Sequence, residues 1–326
     1  MSLRKRFNYL RRIYASYVAG GNSQLSFWHE NPAVNANASP LMLGEYYMTF
    51  LEKADYGGPF DPRGIPLLDY RGVLGRQYNP IAIAQYALGN YNRHLRGGNS
   101  EHQRKFLAVA DWLVESLERN SRGLQMWMHH FDWEYRDTLV APWYSALAQG
   151  QGISVLARAY AETGDRKYRD AADAAFECFY HDVADGGVTF TDKSGDLWYE
   201  EYVVDPPTHI LNGFMWASWG VYDHFLVTGR ADVRDIFDRG VKTLLRNLHT
   251  FDTGFWSLYE HSGTMLPMIA SNFYHRLHIV QLRIMALLTG EEQFRELADR
   301  WEGYRHKPWN SKRALAMKAV FKVCYY

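Results

Sequence analysis

Apolar positions recur with helical spacing over most of residues 76–326, and glycine interrupts them at near-regular intervals. Ile153, Leu156, Ala157 and Tyr160 precede the turn Thr163-Gly164-Asp165, and Tyr168, Ala172, Ala175 and Phe176 follow it. The same pattern returns around Thr228-Gly229-Arg230 and Thr289-Gly290-Glu291, at spacings of 65 and 61 residues (163 to 228, 228 to 289). Glycine suits each place because a helix commonly ends on a left-handed residue. An earlier segment fits the same scheme. Ile81 to Tyr86 begins a helix, Gly97-Gly98-Asn99 breaks it, and Phe106 to Leu117 forms the next. The pattern predicts four helical hairpins.

Short Gly-led stretches rich in β-prone residues follow the second helix of the first three hairpins. They are Gly123 to Trp127, Gly186 to Phe190 and Gly254 to Tyr259. The first helices (Gly150 to Ala161, Leu211 to Val221) carry little charge, whereas the second (Arg166 to Phe179, Arg230 to Leu248) are amphipathic. An all-α class follows: an (α/α) toroid of four hairpins, first helices inside, with short β-strand excursions gathered at one mouth. An open solenoid is the alternative; the irregular, aromatic excursions favour a ring with a site. Residues 1–75 lack the repeat and contain Pro-Phe-Asp-Pro and Gly-Ile-Pro, which predicts extended segments and loops packed on a ring domain of 76–326.

Composition narrows the function. Lys plus Arg and Asp plus Glu are 36 each. That balance argues against nucleic-acid or membrane-surface binding, which need a basic excess. Aromatic residues make up 16% of the chain, enough for a well-filled core or for a carbohydrate site where rings stack on sugars. The two cysteines, Cys178 and Cys324, give no disulfide framework. The N-terminus is basic (Arg4, Lys5, Arg6, Arg11, Arg12) but has no apolar run of signal length, and no segment approaches a membrane span. A cytoplasmic location is the expectation.

The densest polar and aromatic cluster is Asp196 to Tyr202, reading Asp-Leu-Trp-Tyr-Glu-Glu-Tyr ahead of Pro206-Pro207. The prolines disfavour helix, so a loop or strand at the mouth is expected. Adjacent carboxylates on an extended chain face opposite ways, so either Glu200 or Glu201 enters the cavity and the other meets solvent. A second cluster, Asn272 to His278, opens an inner helix and places His275 and His278 on one face. A third is Trp143-Tyr144-Ser145 with Gln149 to Gly152, and a fourth is Tyr259-Glu260-His261. His129-His130 with Asp132 lacks an HExxH pattern or a spaced carboxylate set, so no metal is expected. There is no phosphate-cradling loop, no GxGxxG and no GxSxG.

At these residues the chain resembles the C-terminal catalytic part of the D-glucuronyl 5-epimerases of heparosan and heparan sulfate. The likeness runs over most of residues 70–306. It is carried by Gln77 to Pro80 with Ile83 to Tyr86, by Trp143 to Ser145 with Gln149 to Gln151, and by Trp198 to Tyr202. Leu211 to Met215, Tyr222-Asp223, Asp252 to Gly254 with Tyr259, and Tyr274-His275 with His278 complete it. The resemblance implies a toroid that inverts carbon 5 of glucuronic acid in a polysaccharide, with no cofactor. It places Glu201, Tyr202, Tyr259 and Tyr274 at the reacting centre. The substrate contacts expected are Tyr78, Asn79, Gln85, Glu134, Trp198, Asn212, Trp216, Asn272, His275, Arg276 and His278. A homodimer is also implied, to which the aromatic C-terminal tail contributes.

Three departures stand out. Ser262 replaces a family arginine, so Arg276 or His275 is expected to supply the charge; Trp216 replaces a tyrosine; and the family's larger N-terminal β domain is mostly missing. The alternatives are a uronide lyase or hydrolase on the same kind of toroid, and a noncatalytic glycan-binding module.

Overall fold

The computed structural model describes residues 27–28 and 30–325, so the basic N-terminal stretch lies outside the described residues. The four hairpins form as α1 (Pro80–Gly97) with α2 (Ser100–Glu115), α3 (Ala146–Thr163) with α4 (Arg166–Phe176), α5 (Leu211–Thr228) with α6 (Ala231–Asn247), and α7 (Asn272–Thr289) with α8 (Glu292–Arg305). Phe106 to Leu117 is corrected at both ends: the helix opens at Ser100, and Leu117 already belongs to a strand.

The repeated Thr-Gly turn has a physical cause. Gly98, Gly164, Gly229 and Gly290 cap the inner helices in left-handed conformation, at φ 61°, 70°, 64° and 75°. The preceding threonine works on both sides of that cap. Thr163, Thr228 and Thr289 donate their hydroxyls to the carbonyls of Ala159, His224 and Met285, at 2.7, 2.8 and 2.7 Å. Each also accepts the backbone N–H two residues on, from Asp165, Arg230 and Glu291. Helix end and next-helix entry are thereby fixed together.

Inner helices α1, α3, α5 and α7 stand side by side and are buried on most of their surface; α2, α4, α6 and α8 bury one face each. The tightest approach joins α3 to α5. A Cβ added at Gly220 would sit 2.1 Å from the Gly150 carbonyl oxygen, and one at Gly150 would sit 2.6 Å from Cα of Ala217.

The excursions differ from one another. β3 (Leu117–Arg119) pairs antiparallel with β4 (Gln125–Trp127), and β5 (Thr189–Thr191) with β6 (Leu197–Tyr199); β1 (Leu68–Asp69) and β2 (Arg76–Gln77) pair earlier in the chain. The third Gly-led stretch, expected as a strand, forms only the bridges Asp252–Ser257 and Leu258–Ile269. The Tyr259 carbonyl accepts from the Leu211 N–H at 3.1 Å, and Pro267 on the returning segment has no N–H, so no ladder extends.

Residues 44–50 close the end of the ring away from the mouth. Tyr46 and Tyr47 are buried against Trp219 of α5. The Asn92 side chain at the end of α1 accepts from the Tyr46 N–H at 2.6 Å. The Arg158 guanidinium donates to the Gly44 carbonyl and pairs with Asp223 at 2.6 Å, and the Tyr47 hydroxyl donates to the same carboxylate. A further helix, α9 (Pro308–Tyr325), follows the last hairpin and was not expected. No helix among the described residues is long and apolar enough to cross a membrane.

Candidate active site

A cavity of about 280 Å³ opens at the N-terminal ends of the inner helices. α1 contributes Asn79, Ile81 and Gln85; α5 contributes Asn212 and Trp216; α7 contributes Phe273, Tyr274 and Leu277. Loops add Trp133, Glu134, Tyr135, Trp143, Glu201, Tyr202 and Tyr259. Phe50 and Lys53 form one flank, and Lys318 and Lys322 of α9 another.

Glu201 arrives because β6 ends just before it. Tyr199 is buried away from the cavity, its hydroxyl donating to the Ile236 carbonyl at 2.6 Å. Glu200 turns back: its carbonyl accepts from Ala146 N–H, capping the α3 approach, and its carboxylate meets His209 Nδ1 at 2.5 Å. Glu201 then points inward. A Cβ on Gly213 would lie 2.2 Å from Glu201 Oε2 and 2.6 Å from its Cβ, so only glycine leaves that carboxyl its place. Asn212 Nδ2 donates to Glu201 Oε2 at 3.2 Å.

The site is electrostatically unusual. Burial pushes Glu201 up to about 8, and the nearby Glu260 adds to the rise, while hydrogen bonds from Tyr202 and Asn212 oppose it. Glu260, held by the Tyr135 hydroxyl, is pushed by burial to about 7. Tyr259 rises well above the usual phenol range through burial and the neighbouring Glu201, Tyr274 and Tyr202, so it stays a neutral proton donor. Its ring meets that of Tyr274 edge-on at 4.7 Å. Burial lowers Lys318 to about 8.

Four buried polar atoms on the cavity wall lack a hydrogen-bond partner among the described residues: Gln85 Oε1, Asn212 Oδ1, Glu30 Oε2 and Trp216 Nε1. Three accept and one donates. A hydroxyl-rich ligand would satisfy them, and such groups are costly to bury unpaired. With the surrounding Trp133, Trp143 and Phe273 rings, the cavity combines apolar faces with a few convergent polar groups, the make-up of a small-molecule site.

The structure brings Glu201, Tyr202, Tyr259, Tyr274, Asn79, Gln85, Glu134, Asn212 and Trp216 together at this cavity. Asn79 is already engaged there. Its carbonyl oxygen caps α1 through the N–H groups of Ile81 and Ala82, and its amide donates to the Tyr70 hydroxyl at 2.8 Å.

Six expected contacts lie elsewhere. Trp198 is buried behind β6, stacked on His209 at 4.2 Å, with its indole N–H on Asp192. His275 stacks on Trp256 at 3.8 Å, bonds Ser257 and faces the Trp301 carbonyl; His278 bonds the same Ser257 hydroxyl. Burial drops His275 to about 3 and His278 well below the usual range, so neither offers positive charge. These two imidazoles tie the third excursion to α7. Tyr78 donates to Asp61, Asn272 accepts from Ser311, and Arg276 is not among the residues lining the cavity. The expectation that the second carboxylate of the Glu-Glu pair is solvated is also corrected, since Glu200 is buried on His209.

Sequence reasoning missed Tyr135, Lys53, Lys318 and Lys322. Lys318 lies four residues from Ala314 and three from Phe321, the buried positions of α9, so it shares their inward face; exposed Leu315, Val320 and Val323 hid that face in the sequence.

The family model for the D-glucuronyl C5-epimerase C-terminus matches residues 119–303. The D-glucuronyl C5-epimerase of Caenorhabditis elegans is 34% identical over 221 residues, 63% of this chain and 36% of that protein. The chain therefore spans about a third of that relative's length. An uncharacterised protein of Methanocaldococcus jannaschii is 29% identical over 245 residues, 70% of this chain and 78% of its own. Among solved structures, cellobiose 2-epimerase from Spirochaeta thermophila is 14% identical with a TM-score of 0.49, covering 77% of this chain and 64% of that one. An unsaturated glucuronyl hydrolase from Bacillus sp. GL1 is 14% identical with a TM-score of 0.47, covering 70% and 61%.

Proposed function

The chain belongs to the D-glucuronyl C5-epimerase family by its match over residues 119–303, and we propose that it inverts carbon 5 of D-glucuronic acid residues, giving L-iduronic acid, in a heparosan-like polysaccharide. The observation that carries this reading is the convergence of the buried Glu201 carboxyl with three phenols, Tyr202, Tyr259 and Tyr274, on a single sugar-sized cavity.

The chemistry asks for such a set. The proton on carbon 5 lies next to a carboxylate and is barely acidic. Its removal gives an enediolate, which must be stabilised by hydrogen-bond donors placed in advance. Inversion then needs the proton returned on the other face of the ring, so two proton carriers are required. Glu201 serves as one, through its ionised form, whose share grows as pH rises toward about 8, and Tyr202 or Tyr274 as the other. Tyr259, held neutral, donates to the developing enediolate. Gln85, Asn212 and Trp216 hold ring hydroxyls through the polar atoms they leave unpaired.

Incubation with heparosan in deuterated water tests this. The wild type introduces deuterium at carbon 5 and accumulates iduronic acid; Glu201→Gln lowers the exchange rate by about 100-fold or more, as expected for loss of a positioned acid or base. Wild-type protein that leaves carbon 5 unlabelled, or that yields unsaturated chain ends in place of iduronic acid, overturns inversion.

A further inference from the structure

The substrate required by that reading carries a carboxylate, and the side chains within residues 119–303 that line the cavity include no lysine or arginine. The place of the missing charge beside Ser262 is taken differently: Arg136 reaches it, but spends its guanidinium on the carbonyls of Ser262 and Pro206. Outside that match, Lys53 is held by the Phe27 carbonyl at 2.6 Å and sits 4.0 Å from Glu30, and further cations enter the cavity from α9, a helix lying wholly outside the family match.

α9 is docked, not loose. Ala314 and Phe321 are buried in a cluster with Tyr259, Met268 and Ile269, and the Tyr325 hydroxyl accepts from the Leu266 N–H. Between those anchors, Lys318 turns its ammonium toward the cavity, 5.5 Å from the centre of the Tyr259 ring. Its one hydrogen bond among the described residues is to the Ile269 carbonyl at a long 3.3 Å, which leaves two of the three ammonium donors. Glu260 is the acid whose charge acts on it, yet it forms no ion pair with Lys318 within 4.0 Å, and its carboxylate is occupied by Tyr135. A buried ammonium without a close counter-charge is expensive. An incoming anion beside Tyr259 would relieve that cost.

We propose that Lys318 binds the uronic-acid carboxylate at the reacting centre, so that α9 completes the site and selects carboxylated over neutral sugars. The inference rests on the uronide reading above. Lys318 would thereby neutralise the group whose charge opposes proton removal at carbon 5.

The test measures, by calorimetry on the full chain, binding of a heparosan tetrasaccharide and of its carboxyl-reduced counterpart, in which each glucuronic acid is a glucose. Wild type prefers the carboxylated ligand by about 10- to 100-fold, the scale of one hydrogen-bonded charge pair. Lys318→Met, close in shape, and Lys318→Gln lose that preference while binding the reduced ligand as before. Lys318→Arg keeps most of it. Variants that retain the wild-type preference, or that lose both ligands equally, overturn the assignment. Carbon-5 exchange separates the two ideas. A wild type that prefers the carboxylate without exchanging carbon 5 removes inversion but leaves Lys318 its role. Undiminished exchange in Lys318→Met removes the role and leaves inversion.

Discussion

At the scale of single residues, the site is set by what burial does to a carboxyl group. Glu201 sits at about 8 when folded, against 4.5 for the free side chain. Below pH 4.5 both folded and unfolded chains hold the proton, and the group costs nothing. Between 4.5 and 8 the unfolded chain releases its proton first, so stability falls as pH rises, and the loss is complete above 8. Glu201→Gln has no proton to lose. Its melting temperature therefore exceeds that of wild type by a margin that grows from pH 4.5 to 8 and is then constant, up to on the order of 3–5 kcal/mol. Glu260, which faces Glu201, titrates with the same sign in both proteins and largely cancels from the difference. A margin independent of pH contradicts the burial of Glu201. The pair Glu201-Tyr202 was legible through the family resemblance; strand alternation alone left Glu200 and Glu201 open, and the turn of Glu200 onto His209 is what separates them. Trp198 was not, because strand alternation sends it to the side where His209 stacks on it.

At the scale of elements, the repeat was legible because each Thr-Gly turn satisfies local needs, a left-handed cap and a threonine bonded on both sides. What the repeat could not convey is how closely the inner helices approach. That depends on residues 70 apart: Gly150 in α3 faces Gly220 in α5, with backbone against backbone. A methyl at Gly220 would meet the Gly150 carbonyl at 2.1 Å and its Cα at 2.3 Å, and neither atom can swing aside as a side chain would. Gly220→Ala thus pries the two helices apart and costs about 1–3 kcal/mol or more, read as a lower denaturant midpoint. The helix propensity of alanine works the other way by about 1 kcal/mol, so an unchanged or raised midpoint shows that the crossing can yield. α9 escaped the sequence reading for the opposite reason. It is apolar on its outer side as well, at Leu315, Val320 and Val323, so it presents no clean amphipathic stripe.

At the scale of the whole molecule, the ring is finished by chain from outside the repeat at both ends: α9 at the mouth, residues 44–50 at the base. The second closure was invisible to sequence because its contacts are so distant along the chain. Tyr47 and Asp223 are 176 positions apart, and Arg158 and Asp223 are 65. Yet these three form one buried unit, with the Arg158 and Asp223 side chains 1% and 0% exposed. Arg158 stands eleven residues beyond Leu147 of the cavity wall, about 16 Å along α3 at the rise of an α-helix. It serves assembly and not the chemistry. Removing one charge strands the other in a place water does not reach, so Asp223→Ala costs about 3–5 kcal/mol. It also leaves the Tyr47 hydroxyl without its acceptor. Replacing both charges by apolar groups of similar volume, Arg158→Met with Asp223→Leu, removes the stranded charge as well as the pair. The double variant therefore unfolds at a higher denaturant concentration than Asp223→Ala, although it carries one substitution more. Two single losses that simply add in the double variant would mean that the pair is hydrated, and that residues 44–50 do not seal the base of the ring.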